Sequence, residues 1–413
     1  MESFDVIIVG GGPAGSACAR ALVRGGARVA VVDRAPFPRV KLCAGWISAP
    51  IWDALELAPA DYPGGLWPWE TCRVHYRGRD HAIACRGWFI RRYELDDFLL
   101  RGSGAALHLG VPVKAIERDD DGWWRVAGLR ARHLVGAGGT HCPVARTLAP
   151  PRPRGPVGVQ EHEFPLDPAA IAGARAGLDG EPELLLHDDL RGYAWNIPKG
   201  GWLNVGVGTL EPTEVRGAWA RARAHFVARG HVPPAAGDAL DQVKGHAYYL
   251  FDPRHLEGAA RVDADGRGGA YLVGDALGLA QPLTAEGILP ATVSGRALAQ
   301  ALLAGAPASY PARLRAHPVL ADYARVFHLR EAGAAWRRSS GGDGGGDGGG
   351  DGGGGGGGGG RGGRRAGALA ARVAAPLTRR AVATGFAWMF SGARLPAPRL
   401  VDLALSLTPR PRA

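Results

Sequence analysis

Lysine is nearly missing from this chain: Lys41, Lys114, Lys199 and Lys244 are the only four among 49 basic residues, and arginine supplies the rest. Cysteine is sparse as well. Cys18, Cys43, Cys72, Cys85 and Cys142 are odd in number, and none are spaced as a metal site or a C-x-x-C pair. We therefore expect no disulfide framework and no bound metal, and a reduced, cytoplasmic setting. No apolar run approaches the roughly 20 residues of a membrane-spanning helix. The chain opens directly into a strand without a basic leader, so no signal peptide is expected. The 13 histidines contain no H-x-x-x-H pair, and no Ser–His–Asp order suggests a hydrolase. The net charge is +10, but from residue 361 onward ten arginines face one acid, Asp402. The body is thus almost neutral, which excludes nucleic-acid binding by charge.

What is present is glycine, 65 residues of it, and part of it is placed with purpose. Residues 4–9 form a β-rich apolar run, residues 14–24 carry apolar positions at helical spacing, and residues 28–32 form a second strand ending in Asp33. This β–turn–α–β unit encloses Gly10-x-Gly12-x-x-Gly15. Gly10 permits a tight turn, Gly12 admits a pyrophosphate, and Gly15 allows close helix–strand packing. The helix N-terminus at Pro13 and Ala14 favours an anion, and Asp33, with Arg34 beside it, stands where a carboxylate accepts ribose hydroxyls. The reading is a dinucleotide-binding domain.

Further along, residues 50–90 read as irregular and rich in Trp and Pro, and residues 93–101 as a helix. Short strands fall at 107–111, 123–126 and 133–135. From 157 to 250 the pattern turns antiparallel, with strands at 183–187, 193–197 and 202–208, the last two joined by a tight turn at 198–201. Residues 270–273 form a buried strand ending at Gly274-Asp275, and a long helix follows over about 287–303. Residues 341–363 are almost pure glycine and read as a flexible tether. Residues 366–391 resume a helical, arginine-studded pattern.

The run Tyr271-Leu272-Val273-Gly274-Asp275-Ala276, with Pro282 and Glu286-Gly287-Ile288, resembles the second FAD fingerprint of the p-hydroxybenzoate hydroxylase-like flavoproteins, which include the geranylgeranyl reductases. That resemblance implies FAD, with Asp275 on the ribityl chain and the helix beginning near Gly287 and Ile288 aimed at the flavin. Arg92 and Asp96 resemble the family's R-x-x-L/F-D segment and imply Arg92 beside the cofactor, with Arg91 as the competing candidate. Residues 135–146 resemble its G-A-D-G-x-x-S-x-x-R stretch, but Gly138 replaces the Asp and Cys142 the Ser, which leaves the electron donor open: NAD(P)H or ferredoxin. Lys41-Leu42-Cys43-Ala44-Gly45 resembles the loop beside the isoalloxazine in geranylgeranyl reductases. Tyr193-Ala194-Trp195-Asn196-Ile197-Pro198-Lys199 resembles their substrate-cavity hairpin, in which Tyr193 and Trp195 share one face.

The fold class expected is α/β: a Rossmann-like FAD-binding domain with a parallel sheet (1–155 and 255–310), an inserted antiparallel substrate domain (156–254), a Gly-rich linker (341–363) and a basic helical C-terminal segment (364–413). Cys43, Tyr193 and Trp195 are the candidate catalytic residues. Cys43 has two readings, a group at the flavin's reactive face or a small buried hydrophobe. The resemblance implies an FAD-dependent reductase of C=C bonds in an isoprenoid or other apolar substrate, with hydride from reduced flavin N5. The alternative is a monooxygenase or halogenase working through C4a-hydroperoxyflavin; a flavin-binding protein without activity is a third reading. The basic C-terminal segment is either a peripheral seat on anionic lipid at the inner membrane face or a solvated helix.

Overall fold

Two sheets divide the work of the chain. The computed structural model describes residues 1–148, 152–178, 180–340 and 385, so the glycine run and nearly all of the basic C-terminal segment lie outside the described residues.

The first sheet runs Ala260–Val262, Gly269–Leu272, Leu129–Gly136, Glu2–Val9, Val29–Asp33, Ala106–Leu109. The last five of these strands pair in parallel, and Ala260–Val262 adds an antiparallel edge. Ile7 and Ile8 in its centre are fully buried, as expected of a parallel strand covered on both faces. The Pro13–Arg24 helix starts with Gly12 as N-cap and proline in its first turn, where a missing N–H costs nothing. It crosses the Ile288–Leu303 helix closely: a Cβ on Gly295 would stand 2.2 Å from Ala14 O. Small residues at this crossing let the two helices share one end of the sheet.

The second sheet runs Lys244–Tyr248, Val157–Pro165, Trp202–Thr209, Gly192–Pro198, Glu183–Leu186, Trp67–Tyr76, Arg79–Phe89, Trp46–Ile47. One expectation needs correction. Residues 50–90 are not irregular: 67–76 and 79–89 are long strands of this sheet, turned at Arg77 and Gly78, both with positive φ (49° and 71°). The strands between Val157 and Tyr248 pair antiparallel with one another, as expected, and Glu183–Leu186 joins them to Trp67–Tyr76 by a parallel pairing. The Val215–Ala228 helix covers one face, packing Trp219 and Phe226 against Ala194, Leu203, Val205 and Val207. The opposite face carries Val157, Val159, Trp195 and Ile197. By alternation it also carries Glu161, Glu163, Asn204, Gly206 and Gly208.

Candidate functional site

The fingerprint loop is held by sterics that only glycine satisfies. Gly10 has φ 117°, and a Cβ there would lie 2.4 Å from Ala137 O; one on Gly15 would lie 1.9 Å from Gly10 O. Gly12 differs: a Cβ there would have only Arg39 Nη2 nearby, at 3.5 Å. Gly10 and Gly15 are thus locked into the fold, whereas Gly12 fronts open space at the helix N-terminus. Asp33 accepts hydrogen bonds from Gly11 N–H (2.8 Å) and Ala35 N–H (2.9 Å). A carboxylate has about four acceptor positions, so lone pairs remain for sugar hydroxyls. Arg34 is exposed. Arg39, unnoticed in the sequence, stacks 4.6 Å over Phe37 and pairs with the buried Asp96 at 3.1 Å.

Gly274 and Asp275 lie against the same helix start. The Gly269–Leu272 strand is separated from Glu2–Val9 by Leu129–Gly136, yet a Cβ on Gly274 would lie 2.9 Å from Ala14 Cβ. Asp275 Oδ1 approaches the position of a Gly287 Cβ at 3.3 Å, and Gly287 is the N-cap of the Ile288–Leu303 helix. Gly138 sits beside Gly10, in the loop after Leu129–Gly136. Two helix N-termini, at Pro13 and Ile288, therefore lie at the same end of the sheet, and each favours negative charge.

The Cys43 loop runs between the start of the Ile288–Leu303 helix and the second sheet. Cys43 packs against the cluster that contains Ile47, Trp52, Leu95 and Ile288, while Ala44 packs on the cluster containing Trp46 and Trp195. Asn204 Nδ2 donates to Cys43 O (3.3 Å), and Cys43 N–H bonds the Glu161 carboxylate. Arg92 forms a bidentate pair with Asp96 (2.6 and 2.7 Å) and adjoins the Cys43 sulfur. Burial opposes its charge, but Asp96 and then Cys43 outweigh that and raise its pKa. Arg91 turns elsewhere: it donates to Glu163 (2.9 Å) and lies 3.4 Å over Trp202.

Beneath the loop lies a charged cluster. Lys199 is fully buried and donates to Glu163 Oε2 at 2.5 Å. Burial works against the Glu163 carboxylate, but Lys199 and Arg91 more than offset it and lower its pKa. Glu161 is 1% exposed, and its Oε2 has no hydrogen-bond partner among the described residues. Burial pushes its carboxyl up to about 7. Burial also raises Glu286, which takes a 3.2 Å hydrogen bond from Ser48 Oγ, to about 7.

Tyr193 and Trp195 wall a small pocket of about 40 Å³ with Val157, Tyr248, Leu250 and Leu283, and with Arg191 and Arg330 at its edge. Their ring centroids are 5.9 Å apart. Trp195 Nε1 is committed to Asn204 Oδ1 (2.6 Å), and Tyr193 donates to Thr284 O (2.5 Å). Burial drives the Tyr193 phenol above its ordinary pKa. The contribution of this pair is therefore shape and dryness, not proton transfer. Pro282 lines the same cavity, which links it to the segment running into Gly287.

Comparison with known proteins agrees with this geometry. The FAD binding domain family matches residues 5–88. A menaquinone reductase of Mycobacterium tuberculosis (strain CDC 1551 / Oshkosh) is 27% identical over 341 residues, covering 73% of this chain and 77% of that one. A geranylgeranyl diphosphate reductase of Rhodobacter capsulatus is 26% identical over 366 residues, covering 81% and 82%. A tryptophan 2-halogenase of Chondromyces crocatus is 30% identical over 151 residues, but this spans only 34% and 28%. Among solved structures, PqsL of P. aeruginosa in complex with 2-aminobenzoylacetate superposes with TM-score 0.55 at 22% identity, covering 75% and 91%.

The chain is an FAD-dependent oxidoreductase, similar over most of its length to menaquinone and geranylgeranyl diphosphate reductases.

The residues at this end of the sheet fit FAD: the one fingerprint glycine free of backbone contact, Gly12, stands at a helix N-terminus where a pyrophosphate can approach. Gly12, Pro13, Ala14 and Arg39 would hold the pyrophosphate, Asp33 the adenosine ribose, Asp275 the ribityl chain, and Gly287 and Ile288 the flavin end. Cys43, Ala44 and Arg92 gather between the start of the Ile288–Leu303 helix and the second sheet. The sequence pointed to these residues apart from Arg39, and not to Glu161, Glu163, Lys199 and Asn204 as a cluster. Its signal was the parity of Glu161 and Glu163 with Val157 and Val159. Among the described residues, no group of three or more His, Cys, Asp or Glu is arranged to hold a metal ion, and no helix is long and apolar enough to cross a membrane.

Proposed function

We propose that this oxidoreductase reduces a C=C bond of an isoprenoid or other apolar substrate. The observation that carries the reading is the aromatic-walled cavity of Tyr193, Trp195 and Tyr248, which shares Pro282 and Leu283 with the segment entering the flavin-facing helix. An apolar cavity of this kind takes an apolar ligand and excludes water. Bound FAD supplies two-electron chemistry, as a hydride from its reduced form. The chain orients the substrate against the Cys43 loop, keeps the cavity dry, and sets carboxyl groups near neutral pKa beside it, suited to proton transfer. The likeness to menaquinone and geranylgeranyl diphosphate reductases supports this assignment. Electrons reach the flavin from a dihydronicotinamide or from ferredoxin.

A second reading, oxygen-dependent attack on an aromatic substrate, draws on the shorter match to the tryptophan halogenase. One experiment separates them. The purified protein is photoreduced without oxygen and mixed with menaquinone-4 or geranylgeranyl diphosphate. Flavin reoxidation with formation of the saturated product supports the reductase. Turnover of an aromatic compound that requires oxygen refutes it.

A further inference from the structure

One buried amide links the wall of the pocket to the Cys43 loop. Trp195, on that wall, stands opposite Gly206 in the pairing of Gly192–Pro198 with Trp202–Thr209. A Cβ on Gly206 would lie 2.3 Å from the indole, so the ring crosses a strand position that carries no side chain. This brings Trp195 Nε1 to Asn204 Oδ1 at 2.6 Å. From the other end of the same amide, Asn204 Nδ2 donates to Cys43 O at 3.3 Å and approaches Glu163 Oε2 at 3.5 Å. Asn204 is fully buried. An indole N–H only donates and a carbonyl oxygen only accepts, so the residue between them must carry both an acceptor and a donor. Aspartate would satisfy Trp195 alone, and leucine neither. The loop is otherwise anchored by Cys43 N–H on Glu161 and by Gly45 O, which accepts from Ile90 N–H at 2.9 Å.

We propose that Asn204 is a positioning residue that ties the aromatic wall to the Cys43 loop, so that an apolar substrate seated against Trp195 steadies the loop. This rests on the reading of the pocket as the substrate's. Without its indole partner, Asn204 Oδ1 is left unpaired and the amide is free to turn away from Cys43 O. A ligand packed on the indole restricts the ring and excludes water from the Trp195–Asn204 bond, which strengthens it. The coupling is reciprocal: the factor by which the ligand steadies the loop is the factor by which the attached loop tightens the ligand.

Cys43 itself is the reporter, because it is half-buried while Cys18, Cys72, Cys85 and Cys142 are buried. Alkylation of the oxidised, flavin-loaded protein by iodoacetamide, read at Cys43 by peptide mass, measures how often the loop opens. Trp195→Phe keeps an aromatic wall and removes Nε1. It should speed labelling by roughly fivefold to a hundredfold, the weight of one buried hydrogen bond. Asn204→Leu should do the same, and so should Asn204→Asp, which keeps the Trp195 bond and loses the Cys43 one. Adding Trp195→Phe to Asn204→Leu should bring no further increase. A wild-type rate in Trp195→Phe or Asn204→Asp, or effects that multiply in the double variant, overturns the proposal. Menaquinone-4 or geranylgeranyl diphosphate should slow labelling of the wild type but not of Asn204→Leu, whose Kd for the same probe should rise by that factor. Protection that persists in Asn204→Leu means that the ligand covers the thiol directly, and it too overturns the proposal. If neither probe protects the wild type, the reading of the pocket fails, and the double variant alone decides whether Asn204 ties wall to loop.

Discussion

Replacing Gly15 with alanine tests the fingerprint loop at its tightest point. The new Cβ would start 1.9 Å from Gly10 O, whereas carbon–oxygen contacts settle at about 3.3 Å or more. The Pro13–Arg24 helix must retreat by about 1.4 Å, or Gly10 must move, and Gly10 is fixed by its own 2.4 Å limit against Ala137 O. Retreat is blocked from behind by the Gly295 crossing, where Ala14 O already excludes a side chain. Overpacking of this kind costs about 1–3 kcal/mol. Because the displaced helix start is the pyrophosphate seat, we expect most of that energy to appear in FAD affinity, a loss of about tenfold to a hundredfold at about 1.4 kcal/mol per decade. The assay is flavin-to-protein absorbance after dialysis, with thermal unfolding in parallel. Gly217→Ala is the control: Gly217 is exposed in the Val215–Ala228 helix, and its nearest neighbour is the flexible Arg221 Nη1 at 3.5 Å. That substitution should stabilise by about 0.5–1 kcal/mol and leave flavin untouched. A Gly15→Ala protein with full flavin and an unchanged melting temperature would refute the steric argument.

Asn204→Ala should lower the urea midpoint by the equivalent of about 1–3 kcal/mol, because it strands Trp195 Nε1 and Cys43 O in a buried site; an unchanged midpoint would show that these bonds contribute nothing net. Glu161 should impose an unusual pH dependence. Its folded pKa lies near 7 against an ordinary 4.5, so the folded state binds the extra proton and stability falls as pH rises between those values, levelling off above. The difference amounts to at most about 3 kcal/mol. Glu161→Gln should therefore gain on wild type from pH 4.5 to 7.5 in denaturant titrations, whatever its absolute stability, and a gap that does not vary with pH would contradict it. Glu163 has the opposite sign: its depressed pKa gives stability that is present above the ordinary carboxylate range and is lost on acidification, a loss Glu163→Gln should abolish.

The parts of this protein legible in its sequence are those whose geometry is dictated locally. Gly10 and Gly15 could be read because a strand, a turn and a helix within one short segment admit no side chain there, Gly12 because it stands at the helix start, and Gly274-Asp275 because it resembles a known fingerprint at the end of a buried strand. The 67–89 hairpin escaped because its turn, Arg77-Gly78, lacks the Asn-Gly or Asp-Gly pair that advertises such a turn, even though Cys72, Val74 and Tyr76 alternate inward. The charged cluster escaped for a different reason. Glutamates alternating along a strand read as solvent-facing until pairing is known, and only the register of Glu163 with Asn204 and the 198–201 turn bring Lys199 beneath them. The contacts that define the site span the chain: Cys43 to Asn204 across 161 positions, Ser48 to Glu286 across 238. The fingerprint loop is a local product of backbone sterics, whereas the buried carboxyl cluster is a product of tertiary pairing. Mutations in the second sheet should therefore alter turnover while leaving the bound flavin in place.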